Sequence, residues 1–284
     1  MTPTTPNTAT LCDRLTAWRP NGVWAGVELC HAFYRNHHFP LHAHPDVHVA
    51  LIESGCYRFR CDGRPQQAEA GDLVILPPDA PHDGGAVDAA GYSYRQILIP
   101  LALWTGATAQ TGAPQRSTVR RDPEIAWSLR AVFAAQDRRD PFLFDAMLAR
   151  MIAQIADMDS TTTNGGSSAR ARARVTPRSL APVLEMMRQD LAEPWTLADL
   201  AAAAGVSRFV LSRRFRQHFG LGLHDWLMDA RLRQARRWLA VGMPAAEVAV
   251  ACGFTDQSHL ARRFKKGFGV TPGQFAAFCT SVQS

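Results

Sequence analysis

The sequence predicts an α+β chain of two domains: an N-terminal β-barrel-like domain with flanking helices, then an all-helical C-terminal domain. Three observations predict it. Short strand-like runs crowd residues 47–99, a Ser/Thr/Gly stretch interrupts the chain near residue 160, and one helical pattern occurs twice in the last third. At 284 residues with 46% apolar content, the chain can bury two cores and is not disordered.

The strand-like runs are Val47–Ile52, Tyr57–Cys61, Leu73–Leu76 and Ile97–Ile99, separated by Glu53-Ser54-Gly55, Pro77-Pro78 and Pro100. Many short strands at this spacing suit a small barrel or sandwich. The period then changes. Asp122-Pro123 and Asp140-Pro141 each open a helical pattern, Asp accepting from free backbone N–H groups and Pro occupying a position that needs no donor. Ile125, Leu129, Val132 and Phe133 mark one apolar face, and Leu143, Met147, Met151 and Ile155 the other. These two helices are expected to cover the barrel or to pair with a second subunit. Ser160–Arg174, STTTNGGSS followed by ARARAR, reads as a flexible linker, which divides the chain into 1–160, 161–176 and 177–284.

Charge divides at the same place. Residues 1–160 carry 14 Arg and 17 acids, net −3, while residues 161–284 carry 17 Arg plus Lys and 8 acids, net +9. A localised positive field attracts a polyanion, and double-stranded DNA is the expected one. No apolar run approaches the ~18–20 residues of a membrane span. Met1–Thr10 lacks the basic start and apolar core of a signal peptide, so the expected location is the cytoplasm. Six scattered cysteines, Cys12, Cys30, Cys56, Cys61, Cys252 and Cys279, form no C-x-x-C pair and suit reduced structural thiols.

The repeat carries the functional reading. Ala198–Gly220 aligns with Ala246–Gly269: Gly205 with Gly253 at an offset of 48, then Leu211, Phe215, Phe219 and Gly220 with Leu260, Phe264, Phe268 and Gly269 at an offset of 49. Each copy is a helix-turn-helix pattern. Gly205 or Gly253 closes a short helix, and Ser207 or Thr255/Asp256 caps the next. A Leu-Phe-Phe stripe is buried, and cationic and hydrogen-bonding side chains occupy the opposite face. Those side chains suit base edges and phosphates. Between the copies, Leu223–Ala240 reads as a helix of about 27 Å. That length brings the two reading helices to about one DNA turn, ~34 Å, apart. Nonspecific coating of nucleic acid is the rival reading, and it has no use for two spaced reading units.

Pro177–Phe278 resembles the DNA-binding domain of the AraC/XylS family, most specifically along Ala249–Phe275, AVACGFTDQSHLARRFKKGFGVTPGQF. The resemblance implies base-facing positions at Arg208, Phe209, Ser212 and Arg213 in the first unit. In the second it implies Gln257, Ser258, His259 and Arg262. Arg216 and Lys266 extend the same cationic faces. Ala276 stands where that family usually carries a basic residue after the closing aromatic, here Phe275.

Of ten histidines, His42, His44 and His48 fall within HAHPDVH, and His82 follows Pro77-Pro78-Asp79-Ala80-Pro81. H-x-H places two imidazoles on one side of a strand. With His82 the set resembles the cupin barrel, whose motifs are met here by His42, His44, Gly55, Gly71, Pro77 and His82. Asp46 or His48 stands where that barrel carries glutamate. Sensor domains of AraC-type regulators resemble cupins and commonly bind an organic effector without a metal. The reading adopted is therefore a cupin-like pocket lined by His42, His44, His82, Arg58, Tyr94 and Arg95, with no cofactor; a three-nitrogen divalent-metal site at His42, His44 and His82 is the alternative. The implied function is transcription regulation, without enzymatic activity, controlled by a small-molecule effector. Expected partners are double-stranded DNA, the effector, a second copy in a homodimer and RNA polymerase, with no membrane. A cupin metalloenzyme fused to a DNA-binding tail is the competing function.

Overall fold

The computed structural model describes residues 13–20, 22–61, 63–108, 112–163 and 180–283. The Met1–Thr10 segment, Cys12 and the linker from residue 164 onward lie outside them.

Nine strands build the N-terminal domain: β1 (Arg14–Trp18), β2 (Glu28–Tyr34), β3 (His38–His42), β4 (Asp46–Cys61), β5 (Arg64–Glu69), β6 (Asp72–Leu76), β7 (His82–Ala86), β8 (Tyr92–Pro100) and β9 (Thr118–Arg121). The two expected runs at 47–61 are one strand. β4 pairs with β6 and β8 in its first half and with β5 and β7 in its second, so it carries the chain from one sheet to the other. Its register shifts between Ile52 and Ser54, and Gly55 takes φ 72° where an added Cβ would lie 2.0 Å from the Gly91 carbonyl oxygen. Only glycine makes that corner. One sheet runs β1-β2-β8-β4-β6-β9, and β3, β7 and β5 close the other side.

Strand alternation sorts the two faces. Val47, Val49, Leu51, Leu73, Ile75, Ile97 and Ile99 face outward, into a core completed by α1 (Leu101–Ala107), α2 (Pro123–Asp137) and α3 (Pro141–Thr163). Asp122 caps α2 by accepting from the Glu124 and Ile125 N–H groups, and Asp140 accepts from Leu143 N–H at 3.0 Å. Both expected helix starts therefore hold. α3 continues to Thr163, past the expected boundary at 160, because a nucleated helix extends into weak formers at little cost.

The C-terminal domain comprises α4 (Ala181–Gln189), α5 (Leu197–Ala203), α6 (Arg208–Phe219), α7 (Leu223–Ala240), α8 (Ala245–Ala251), α9 (Gln257–Phe268) and α10 (Pro272–Gln283). Gly205 and Gly253 are left-handed at φ 61° and 75°. Ser207 accepts from Val210 N–H, and Asp256 rather than Thr255 accepts from His259 N–H at 2.7 Å. The first unit, α5–α6, packs its own core with α4 and the start of α7 around Leu211, Phe215, Phe219 and Trp226. The second, α8–α9, shares one continuous apolar core with the inner face of the barrel. Arg231 of α7 joins the units, donating to the carbonyls of Leu191, Glu193 and Gly253 at 2.6, 2.9 and 3.0 Å. No helix among the described residues is long and apolar enough to cross a membrane.

A buried ion cluster docks α7 on the barrel. Glu28 of β2 is 3% exposed and accepts from Arg236 of α7 and from Arg19. Burial pushes the Glu28 carboxyl up, but the two guanidiniums outweigh it and hold it below the ordinary carboxylate value. Glu28→Gln strands two buried cations, so it should lower the unfolding free energy by about 3 kcal/mol in urea titrations at pH 7. Because the folded carboxyl titrates below the unfolded one, this stabilisation is present above pH ~4.5 and fades as pH falls below it. An equal loss for Glu28→Gln at pH 3 and pH 7 would rule out the charge as its cause.

Candidate effector cavity and DNA-reading faces

The inner faces of β4, β6 and β8 place His48, Ala50, Ile52, Val74, Tyr92, Tyr94, Gln96 and Leu98 around a cavity of about 530 Å³. This is ample for a small organic molecule. Tyr34, Tyr92 and Tyr94 form an aromatic wall, with centroids 5.7 to 6.2 Å apart, and Tyr57 stacks on Tyr92 at 4.9 Å. The Tyr92 hydroxyl is buried without a hydrogen-bond partner. The barrel does not close the cavity by itself. Arg216 and Gly220 of the α6 end, Asp225, Met228, Asp229, Leu232, Arg233 and Arg236 of α7, and Arg263, Lys266, Gly267 and Phe268 at the α9 end complete it.

Of the expected pocket residues, His42, His44, His82 and Tyr94 line this cavity. His42 ends β3, His44 follows it in the loop before β4, and His82 begins β7. Burial, then the neighbouring imidazoles, hold the His42 and His44 rings well below the ordinary histidine range, and burial does the same to His48, so all three are neutral. Arg58 and Arg95 correct the expectation. Successive strand residues face opposite ways, so with Tyr57 and Tyr94 turned inward their neighbours turn out. Arg58 is exposed against Gln67, and Arg95 pairs with Glu53 at 3.6 Å and lies over Phe133 of α2. The cavity's cations come instead from the helical domain. Arg233 donates to the Ala43 carbonyl at 2.8 Å and to Asp229, and burial lowers its guanidinium to about 10, still protonated at neutral pH. No sequence pattern signals that contact, which joins residues 190 apart.

The two reading helices keep the predicted faces outward. Arg208, Phe209, Arg213, Gln257, Ser258 and Arg262 are exposed, and Ser212 and His259 are half-buried. Phe209 is 75% exposed at the start of α6, an apolar group on an otherwise cationic face. Arg216 and Lys266 are exposed too, but a last-turn position puts them at the cavity rim rather than with the first-turn residues. Each reading helix ends on a left-handed glycine pressed against the barrel. A Cβ on Gly220 would meet Pro81 Cγ at 2.7 Å, and one on Gly269 would meet Tyr34 Cε1 at 2.8 Å. The Tyr34 hydroxyl donates to the Phe268 carbonyl at 3.0 Å.

A ligand-sized cavity walled by a sensor barrel and by the ends of two outward-facing reading helices defines a ligand-responsive, DNA-binding transcription regulator. Residues 25–153 match an AraC-like ligand binding domain and residues 200–277 a helix-turn-helix domain. The arabinose operon regulatory protein of Escherichia coli K12 is 38% identical over 229 residues, 76% of this chain and 75% of that protein. The transcriptional activator NphR of Rhodococcus is 27% identical over 236 residues, 80% of this chain and 68% of that protein. An apo ToxT variant from Vibrio cholerae shares the fold with a TM-score of 0.69 at 12% identity, over 92% of this chain and 100% of that one. A wild-type ToxT bound to unsaturated fatty acid gives 0.62 at 11% identity, covering 95% of each chain. The chain belongs to the AraC family of transcription regulators.

Because the Tyr92 hydroxyl is buried and unpaired, Tyr92→Phe should leave the unfolding free energy unchanged or raise it by about 1 kcal/mol. A loss of ~1 kcal/mol or more in denaturant titrations would mean that the hydroxyl has a partner in solution.

Proposed function

We propose that this regulator senses an organic anion with an apolar body and reads two successive major grooves. The observation that carries the reading is the composition of the cavity: an aromatic and aliphatic barrel wall facing Arg216, Arg233, Arg263 and Lys266 of the helical domain. A carboxylate seats against the cations and its hydrocarbon or aryl part against Tyr34, Tyr92 and Tyr94. The unsaturated fatty acid held by ToxT is of this chemical class. The effector acts by differential affinity. It touches the ends of both reading helices, so it favours the arrangement of α6 and α9 in which both cavity walls are in contact with it. The chain acts in the cytoplasm and carries out no catalysis.

On DNA, the first turns of α6 and α9 supply Arg208, Phe209, Ser212, Arg213, Gln257, Ser258, His259 and Arg262. Arginine suits guanine edges, and Phe209 suits a thymine methyl group. Two copies pair through α2 and α3, where Trp127 and Phe142 are exposed, and so present two half-sites.

Arg213→Ala and Arg262→Ala should each weaken binding to a selected operator by about 1–3 kcal/mol in gel shifts at fixed salt. Unaltered operator affinity in both would remove these positions from the interface. Palmitoleate should raise the melting temperature of the full chain, whereas the corresponding fatty alcohol should not. Equal shifts with acid and alcohol would contradict an anion site.

A further inference from the structure

We propose that His42, His44 and His82 bind one borderline divalent transition-metal ion, of the Zn²⁺ or Co²⁺ kind, in the wall of the cavity. One ligand nitrogen from each of the three lies within 4.8 Å of the others. The ring centroids of His42 and His82 are 4.2 Å apart, those of His44 and His82 5.0 Å, and those of His42 and His44 6.1 Å. Three imidazoles on one tetrahedral ion place their centroids about 5 Å apart, so these separations bracket the requirement.

Orientation supports the same assignment. His42 Nδ1 lies 2.9 Å from the Pro40 carbonyl, His82 Nδ1 2.8 Å from the Ala80 carbonyl, and His44 Nδ1 3.2 Å from the Asp46 carbonyl. A carbonyl only accepts, so in each ring Nδ1 carries the proton and Nε2 keeps the lone pair. A backbone carbonyl on the far nitrogen is the support that metal-bound imidazoles generally have. The fold enforces the convergence. His42 and His82 face each other in the β3–β7 register, and the Asp79 N–H, with Asp79 left-handed at φ 57°, donates to the His44 carbonyl at 2.8 Å. His48 of β4 is a fourth imidazole within reach, 5.3 Å from His44 and 5.8 Å from His82 between centroids, and its buried Nδ1 has no hydrogen-bond partner.

The donors are all imidazoles and no carboxylate belongs to the set, which selects zinc, cobalt or nickel over magnesium or calcium. Asp46, the nearest acid in sequence, serves the arginine cluster: burial raises its carboxyl, and Arg233 is the foremost cation opposing that rise. The H-x-H spacing alone favoured a pocket without metal. The third converging ring and the three backbone anchors reverse that preference. The ion also has a position from which to be read. His82 follows Pro81, which packs against Gly220 at the end of α6, so an ion fixed on His82 steadies the segment on which the first reading helix ends.

This inference is independent of the organic effector and is tested with the metal alone. Tag-free full-length protein, dialysed against a chelator, should take up one equivalent of Co²⁺. Its visible ligand-field bands should lack a thiolate charge-transfer band, and Zn²⁺ should displace the cobalt one for one. His42→Gln, at a half-buried position, and His82→Gln should each weaken Zn²⁺ binding by at least about 100-fold, beyond the cost of losing an outer-shell partner. Zn²⁺ should raise the melting temperature of the wild type and not that of His42→Gln with a native circular dichroism spectrum. Three results would each overturn the proposal: no saturable uptake by the wild type, a thiolate band, or unchanged affinity in natively folded His42→Gln. None of them would alter the fatty-acid response, so failure here is separable from failure of the effector reading.

Discussion

The arrangement of the whole chain depends on the buried pairing of Glu28 with Arg236. Relative to a well-packed apolar contact, a buried ion pair adds little net stability, since desolvation offsets most of the attraction. Its importance is geometric. A displaced partner leaves an unpaired buried charge, at about 3–5 kcal/mol, so α7 tolerates few positions on the barrel. Arg236 also lies over the Phe268 ring, with 4.8 Å from its guanidinium carbon to the centroid, so one side chain fixes barrel, spacer helix and second reading helix together.

That fixed point makes the two reading units unequal. The second shares a continuous core with the barrel interior, and its α9 ends under Tyr34 and His37. The first has its own core and meets the barrel where Gly220 ends against Pro81. Moving the second unit disrupts a packed interior, whereas moving the first opens a surface contact and the cavity beside it. The cavity therefore sits where small differences in its contents act on the less constrained unit.

Charge follows the same division. The helical domain is strongly cationic, and part of that charge is directed inward through Arg233 and Arg236 rather than outward to a polyanion. The barrel supplies aromatic rings and neutral imidazoles but turns its own arginines away from the cavity. Neither domain alone has both the apolar wall and the cations, so recognition of an amphipathic anion belongs to the junction between them.

The sequence by itself determined much of this architecture. Helix starts at Asp122 and Asp140, the Gly-Ser and Gly-Thr-Asp turns, the buried Leu-Phe-Phe stripes and the span of α7 are local, set by capping and periodicity over a few residues. The outward faces of α6 and α9 follow from the same periodicity, since a helix that buries one stripe exposes the opposite one. The family resemblance was legible in the second unit for that reason. Tertiary structure decided the rest. Arg58 and Arg95 resemble pocket residues in one dimension, and only the pleat, fixed once the outer face of the sheet packed against α2 and α3, turns them out. Arg233 and Arg236 read as solvated helix residues until α7 lies on the barrel, because a contact between residues about 200 positions apart leaves no local pattern. The cavity itself is formed by two domains, and sequence periodicity describes each element but not the space between them.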